Sequence, residues 1–220
     1  MDFILDENQI HLWCVSLEVQ ESELERLKKY LNKKEKFRSE KFYSREDQRR
    51  FVVSHAALQC LLKNYLDSEY PFVFTENEYG KPFLAKNSLQ FNLSHSHELA
   101  LIAFAKNTSL GIDVERIKEN PNIPNIARRF FSVCEAEQLL SLPSAKQTDF
   151  FYRCWTQKEA LIKALGLGFS ESLEGLNQNT EWYIQELSVH SHYKAALAVK
   201  GRDWKWELRQ WDRFSHVKTF

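Results

Sequence analysis

The chain has 220 residues, and its 30 basic residues balance its 30 acidic residues. This length suits one large domain or two small ones and is enough to bury a core. A nucleic-acid surface normally carries a basic excess, and a membrane span needs about 18 consecutive apolar residues. We therefore expect neither a nucleic-acid partner nor a membrane span.

The cysteines and the start of the chain indicate a cellular compartment. The cysteines lack the spacing of a metal site: Cys14, Cys60, Cys134 and Cys154. Scattered free thiols are typical of a cytosolic protein. The first residues have neither the basic region nor the long apolar region of a secretory signal. We therefore expect a cytoplasmic protein.

The N-terminal part of the chain predicts strands and helices in alternation. Residues 10–18 favour a strand, and residues 21–31 favour a short amphipathic helix. A long helix is predicted from Ser44 to Leu66, because Ser44 is a good N-cap and acids follow it in the first turn. Strand predictions then follow at 72–84, where a turn interrupts the strand, at 89–96 and at 98–106.

The same order of elements then recurs. Residues 111–116 favour a strand, helices are predicted at about 124–131, 133–141 and 148–165, and two strands precede a last one at 203–211. The segment SHSHELALIAFAK (94–106) also resembles VHSHYKAALAVKG (189–201). We interpret the chain as two similar α+β halves, 1–108 and 109–220, in a pseudo-twofold arrangement with the active site at their interface.

The first predicted strand of the second half carries two acids. Asp113 and Glu115 lie on one face of the strand, about 6.5–7 Å apart. Two carboxylates repel each other unless a positive group lies between them. Mg²⁺ is a hard cation that binds one or two carboxylates together with phosphate oxygens. The alternative is an exposed strand face with two ordinary acids.

The last predicted long helix carries charged residues beside its apolar stripe. A helical projection puts four apolar residues on one arc: Phe151, Trp155, Ile162 and Leu165. Lys158 lies inside this arc and Glu159 at its edge, near Lys163. A lysine on a buried stripe is costly unless it meets an anion. The functional interpretation makes Glu159 a third acid at a metal, with both lysines facing phosphate. The alternative is a surface pair of Glu159 and Lys163, with Lys158 extending to water.

The segment 91–96 alternates between two kinds of side chain. One face carries Asn92, Ser94 and Ser96, and the other carries Phe91, Leu93 and His95. His95 is either a hydrogen-bonded residue at a strand end or a donor to phosphate. A zinc site is not expected, because no further ligand has suitable spacing.

Two other features also have a plain interpretation. The segment 79–82 is either a plain turn or a turn that presents Lys81 beside the bare backbone of Gly80. Basic residues also lie around the first long helix, and most of them would be solvated surface charges in any protein: Lys33, Lys34, Lys36, Arg49 and Arg50. None of these features is specific alone.

Together the motifs are specific. The ordered set G-K-P, F-N-x-S-H-S, G-I-D-V-E and W-T-x-K-E-A-x-x-K-A-x-G resembles the 4′-phosphopantetheinyl transferase superfamily, and within it the Sfp type, which are monomeric enzymes of two halves. The likeness spans about residues 30–170, and the D-V-E and W-T-x-K-E blocks carry most of it.

The resemblance implies an activity and a set of roles. Such enzymes transfer 4′-phosphopantetheine from coenzyme A to a serine of a carrier protein and release adenosine 3′,5′-bisphosphate. By the resemblance, Asp113, Glu115 and Glu159 hold Mg²⁺, and Glu159 is also the candidate base. Lys158 and Lys163 would act on the phosphates as catalytic and coenzyme-binding residues.

The resemblance also implies coenzyme contacts. Gly80, Lys81 and Pro82 would line the adenine, Ser94 and His95 would contact phosphates, and Arg50 would bind the 3′-phosphate, with help from Lys36 or a neighbour. Phe131 and the segment after it are expected to contact the carrier. A non-catalytic module that binds coenzyme A or a nucleotide, and a Mg²⁺-dependent hydrolase of a phosphate anhydride, are the alternatives. The carrier and its pathway stay open, as does direct or water-mediated binding of metal by Glu115.

Overall fold

The structure is a computed structural model that describes residues 3–85, 87–120, 122–167 and 181–212. The predicted mixture of helices and strands is confirmed. The elements of the first half are β1 (Gln9–Ser16), α1 (Glu21–Leu27), α2 (Lys33–Ser39), α3 (Arg45–Leu66), β2 (Thr75–Glu76), β3 (Pro82–Phe83), β4 (Leu89–Ser96) and β5 (Leu99–Lys106). A short 3₁₀ helix at Lys28–Tyr30 continues α1.

The second half repeats this plan. Its elements are β6 (Leu110–Arg116), α4 (Ile123–Phe130), α5 (Val133–Ser141), α6 (Ser144–Leu165), β7 (Trp182–Leu187), β8 (Tyr193–Lys200) and β9 (Lys205–Gln210). Within the described residues, no helix is both long and apolar enough to cross a membrane.

The sheet topology explains the sequence repeat. In the first sheet the hairpin β4–β5 pairs through β5 with β1, and in the second the hairpin β7–β8 pairs through β8 with β6, always antiparallel. A 22-residue helix, α3 or α6, lies in the chain between the first strand and the hairpin of each half. Two similar α+β units are therefore present, as predicted.

The first long helix begins after the predicted N-cap and buries the predicted apolar stripe. The Ser44 side chain accepts a hydrogen bond from the backbone N–H of Asp47 at 3.3 Å, which caps α3. The apolar stripe predicted for this helix is buried: Phe51, Ala56, Ala57, Leu58, Leu61 and Leu62. All of them except Phe51 form a core with residues of β1, β4 and β5.

A second core and a row of side-chain hydrogen bonds join the two sheets. Ile10 and Leu12 of β1 pack with Ile112 and Val114 of β6 and with Leu197 of β8. Beside this core, the polar face of β4 meets the edge of β6 that β8 does not pair. Backbone N–H groups of β6 donate to β4 side chains in three contacts: Ile112 to Asn92 (2.8 Å), Val114 to Ser94 (3.4 Å) and Arg116 to Ser96 (3.1 Å).

The last strand belongs to the first sheet. β9 pairs in parallel with β1, with Lys205 opposite Gln9 and Gln210 opposite Cys14. Its Arg209 guanidinium contacts Nε2 of the buried His11 at 3.1 Å. The strand β9 was predicted, but its pairing with β1 was not. This pairing joins residues from both sides of the proposed boundary after residue 108. That boundary stays a prediction.

Two helices differ from the prediction. The sequence analysis did not predict α2, which begins with a capping box in which Asn32 and Glu35 satisfy each other's backbone N–H groups. The predicted start of α6 at about residue 148 is four residues late, because Pro143 takes the N-cap position and Ser144 begins the helix.

Candidate active site

The two acids of β6 are bound to serines of β4. Asp113 is 3 % exposed, and its Oδ1 accepts hydrogen bonds from Ser94 Oγ at 2.8 Å and from Lys163 Nζ at 2.6 Å. Its Oδ2 is buried and has no hydrogen-bond partner among the described residues. Glu115 accepts a hydrogen bond from Ser96 Oγ at 2.8 Å. The pair therefore faces the interface of the halves rather than an open strand surface.

Glu159 of α6 lies close enough to Asp113 and Glu115 for their charges to raise its pKa. Burial raises its pKa to about 7, with further contributions from Asp113 and Glu115, while Lys163 opposes the rise. The pKa of Glu115 is also raised, by burial first and then by Asp113. The charges of Asp113 and Glu115 thus disfavour the ionisation of Glu159, and the charge of Asp113 disfavours that of Glu115.

Lys163 connects the two elements that bear these acids. Its Nζ lies 2.6 Å from Asp113 Oδ1 and donates to Ser94 Oγ at 2.9 Å. Among the residues that the structure describes, no group of three or more His, Cys, Asp or Glu side chains is arranged to hold a metal ion. In this arrangement the ammonium supplies the positive charge beside Asp113.

The structure does not bring Lys158 to the acids. The lysine is 6 % exposed, as its position on the apolar arc predicts, and its Nζ pairs with Glu135 of α5 at 2.9 Å. Burial opposes the ionisation of Glu135, but hydrogen bonds from Lys158 and Ser132 outweigh it and lower the pKa of this carboxyl. The anion that the buried lysine requires is therefore a protein carboxylate in the capping box of α5.

A cavity of about 470 Å³ lies in the first half beside Phe91, Asn92 and Leu93 of β4. Gly80 and Pro82 are among its lining residues, which also include Asn32, Lys34, Glu35, Arg38, Phe51, His55, Phe74 and Asn92. His55 stacks on Phe51 with ring centroids 3.9 Å apart and binds Glu35 at 3.1 Å through Nδ1. Apolar walls with a few basic groups suit a ligand that combines a ring with phosphates.

Arg50 and His95 lie among charged groups. Arg50 donates to Glu98 and to Asp47, both at 3.0 Å, so carboxylates occupy its guanidinium. More than a third of the surface of His95 is exposed. The pKa of His95 is nevertheless lowered, by desolvation first and then by the neighbouring His55, Lys163 and Arg50. The two residues therefore border one basic region together with Lys163.

Lys81 has a different environment from its neighbours in the G-K-P motif. Its Nζ donates to the backbone carbonyls of Leu110 at 3.0 Å and of Ala164 at 3.2 Å. Burial lowers its pKa to about 8. Its ammonium is therefore bound by the second half of the chain, whereas Gly80 and Pro82 line the cavity.

The remaining predicted residues lie farther from the acids or are buried. Lys36 is exposed on α2, and its neighbours Lys34 and Arg38 line the cavity in its place. Phe131 is 7 % exposed and stacks on Phe151, so its ring does not offer the expected surface for a carrier. The exposed apolar residue of that segment is Val133, at the start of α5.

The sequence analysis missed roles for several residues at this site. Asn92 and Ser96 stood out only as part of an alternating face, and the structure uses that face to bind the edge of β6. The sequence did contain a sign of Glu135 as a helix-capping residue, because Ser132 and Glu135 have the spacing of a capping box. Asn77, which binds the carbonyl of Gly166 at 2.7 Å, had no signal beyond its place in a turn.

Comparisons with known proteins agree with this fold and identify its family. The sequence model of the 4′-phosphopantetheinyl transferase superfamily matches residues 109–219, and a model described as 4′-phosphopantetheinyl transferase, N-terminal, matches residues 17–107. The chain therefore belongs to the 4′-phosphopantetheinyl transferase superfamily. The resemblance stated from the motifs is confirmed, as is the prediction of a transferase of this family.

Three of the similar proteins match at least 77% of this chain. The 4′-phosphopantetheinyl transferase HetI of Nostoc sp. strain PCC 7120 is 36% identical over 214 residues, 90% of either chain. The 4′-phosphopantetheinyl transferase Sfp of Bacillus subtilis strain 168 is 29% identical over 200 residues, 83% of this chain and 88% of Sfp. The L-aminoadipate-semialdehyde dehydrogenase-phosphopantetheinyl transferase of Mus musculus is 26% identical over 206 residues, 77% of this chain and 67% of the relative.

Proposed function

We propose that this chain transfers 4′-phosphopantetheine from coenzyme A to a serine of an acyl or peptidyl carrier protein, with Mg²⁺ as cofactor and adenosine 3′,5′-bisphosphate as leaving group. The observation that carries the proposal is the convergence of Asp113, Glu115 and Glu159 beside Lys163. Membership of the transferase superfamily supports the class of reaction. We further propose that the protein acts in the cytoplasm as a monomer.

The oxygens of these carboxylates are the ligand type that Mg²⁺ prefers, although the described residues do not arrange three of them around a common point. Asp113 Oδ2 is buried without a hydrogen bond, and the pKa values of Glu115 and Glu159 are raised in part by neighbouring carboxylates. A hard cation would give the orphaned oxygen a partner and relieve the repulsion, because Mg²⁺ prefers oxygen ligands. When bound by these residues, it would neutralise charge on the diphosphate of coenzyme A.

The side chains of this site would bind the diphosphate and move one proton. In the proposed reaction, the serine oxygen forms a bond to the phosphorus next to pantetheine, and the bond from that phosphorus to the bridging oxygen breaks. Glu159, when ionised, would accept the serine proton, for which a pKa of about 7 is suitable. Lys163 and Ser94 would donate to the phosphate oxygens.

Gly80 and Pro82, which line the cavity, would lie against the adenine. By the family resemblance, His95 would face a phosphate. Arg50 would exchange Glu98 and Asp47 for the 3′-phosphate, which its planar guanidinium suits. Lys158 would have to leave Glu135 to reach a phosphate, so Lys163 is the cation that we propose at the diphosphate.

The test is incorporation of phosphopantetheine into a panel of apo carrier proteins, measured as a gain in carrier mass. We expect transfer that requires Mg²⁺ and stops with a chelator. Asp113→Asn is expected to lower the rate at least about 100-fold, because it removes the charge of a proposed ligand of Mg²⁺. Glu7→Gln, at an exposed position before β1, is the control and is expected to keep the rate.

Each other outcome has a distinct meaning. A wild-type rate in a folded Asp113→Asn variant would overturn the proposed role of the acids. Tight binding of coenzyme A without transfer to any carrier would favour a non-catalytic binding module. Release of products from coenzyme A with water alone would favour a hydrolase.

A further inference from the structure

We propose that Lys81 and Asn77 clamp the last turn of α6 onto β6 and thereby position the helix face that carries Glu159 and Lys163. The clamp is a property of the fold, and only its effect on turnover rests on the proposed function. With this clamp, the turn at 77–81 acts by binding the second half of the chain rather than by binding the coenzyme.

The last turn of α6 leaves carbonyl groups that need partners. Gly166 has φ +72°, and its N–H bonds to Lys163 while the N–H of Leu167 bonds to Ile162, which is a Schellman motif. The carbonyls of Ala164 and Gly166 lie beyond the ones that this motif satisfies. Lys81 Nζ donates to Ala164 at 3.2 Å, and Asn77 Nδ2 donates to Gly166 at 2.7 Å.

The charge of Lys81 suits this position. A helix C-terminus carries partial negative charge and is stabilised by a nearby cation. Among the described residues, no carboxylate pairs with Lys81, and desolvation alone lowers its pKa. The bonds to two carbonyls are therefore its compensation for burial. The second carbonyl belongs to Leu110 of β6, so one ammonium ties the helix to the strand.

The turn that carries these groups is itself bound together by Asn77. Its Oδ1 accepts from the backbone N–H of Tyr79 at 3.0 Å and of Lys81 at 2.9 Å. Its own backbone N–H donates to the carbonyl of Lys81 at 3.1 Å. One side chain thus shapes the turn with its oxygen and contacts α6 with its nitrogen, so the clamp is a unit.

Two glycines let the clamped elements touch. A Cβ at Gly111 would lie 2.1 Å from the carbonyl oxygen of Ala160 and 2.3 Å from the amide nitrogen of Ala164. A Cβ at Gly166 would lie 2.8 Å from Asn77 Nδ2. Without these methyl groups α6 packs directly on β6. A shift of the last turn would therefore move Lys163, next to Ala164, relative to Asp113 on β6.

The test is hydrogen exchange of the full chain without coenzyme, followed in peptides that cover residues 160–167. Lys81→Met keeps a long side chain but removes the ammonium. Asn77→Asp keeps the oxygen that shapes the turn but removes the donor to Gly166. We expect each variant to speed exchange in this segment about tenfold, because local opening becomes easier.

The control is Lys28→Met, which removes a lysine of the same half that pairs with Glu25 near the surface. It is expected to leave exchange at 160–167 unchanged. Unchanged exchange in both clamp variants would overturn the proposal, whatever happens to coenzyme affinity. If Lys81→Met speeds exchange throughout the chain, Asn77→Asp decides: a local increase supports the clamp, and no change overturns it.

A kinetic measurement tests the positioning role. At saturating coenzyme and carrier, each clamp variant is expected to lower kcat about tenfold, and the double variant is expected to lose little more than either single variant. A double variant whose loss is the product of the single losses would overturn the idea of one unit. If no carrier is modified even by the wild type, the proposed function fails, while the exchange result still decides the clamp.

Discussion

The ionisation of Glu159 links a single residue to the stability of the chain. Burial and the neighbouring Asp113 and Glu115 raise its pKa from 4.5 to about 7. Below pH 4.5 the group is protonated in the folded and the unfolded chain and contributes nothing. Between pH 4.5 and about 7 the unfolded chain releases the proton first, so stability falls as the pH rises. Above about pH 7 this loss is complete.

A variant that cannot ionise should remove this pH dependence. In buffer with a chelator, Glu159→Gln is expected to be more stable than the wild type at pH 8, by on the order of 1–3 kcal/mol, and nearly equal to it at pH 4.5. Urea denaturation at several pH values measures the difference. Glu137→Gln, at an exposed site on α5, is expected to give a difference that does not vary with pH. A flat difference for Glu159→Gln would show that the folded chain does not raise the pKa of Glu159.

Single residues also show where sequence reasoning stops. Helical periodicity correctly put Lys158 on the buried stripe, because that inference needs only the angle between successive residues. It could not name the anion, because Glu135 reaches Lys158 through the packing of α5 on α6. For Lys81 the motif indicated a turn, but the carbonyls that it binds belong to distant parts of the chain.

At the scale of elements, β4 and β6 join the two sheets through side chains. Asn92 is 6 % exposed and accepts the backbone N–H of Ile112 at 2.8 Å. Asn92→Ala is expected to lower the free energy of unfolding by about 1–3 kcal/mol, because a buried N–H loses its acceptor. Urea denaturation measures the loss.

The matched control for this prediction lies on the same strand. Gln90 is half-buried, and its side chain makes a long bond of 3.4 Å to Asn87, within the same half. Gln90→Ala is therefore expected to cost less than about 0.5 kcal/mol. Equal losses in the two variants would mean that the row of bonds to β6 adds nothing to stability.

Elements with a strong local signal were predictable, and elements fixed by distant contacts were not. The N-cap Ser44 and the apolar stripe predicted α3, whereas α2 is too short to show a clear periodicity. The predicted strands within 72–84 shrink to the two-residue strands β2 and β3, because Asn77 and Lys81 form a turn between them.

At the scale of the whole molecule, the two halves share structure that neither has alone. The core between the sheets takes Ile10 and Leu12 from the first sheet and Ile112 and Leu197 from the second. β9, the last described strand of the second half, completes the first sheet beside β1. The sequence pattern predicted the strand β9, but such a pattern does not show with which strand β9 pairs.

The shared core and the pairing of β9 with β1 predict that residues 1–108 and 109–220 do not fold as two independent units. A fragment of residues 1–108 would expose Ile10 and Leu12 and leave the β9 side of β1 without backbone partners. We expect it to lack a cooperative thermal transition, and the complete chain to unfold in a single one. Mixing this fragment with residues 109–220 should restore the transition, because both the shared core and β9 return. Circular dichroism during heating measures each case. If the fragment alone unfolded cooperatively near the midpoint of the complete chain, the first sheet would not depend on β9 or on the shared core.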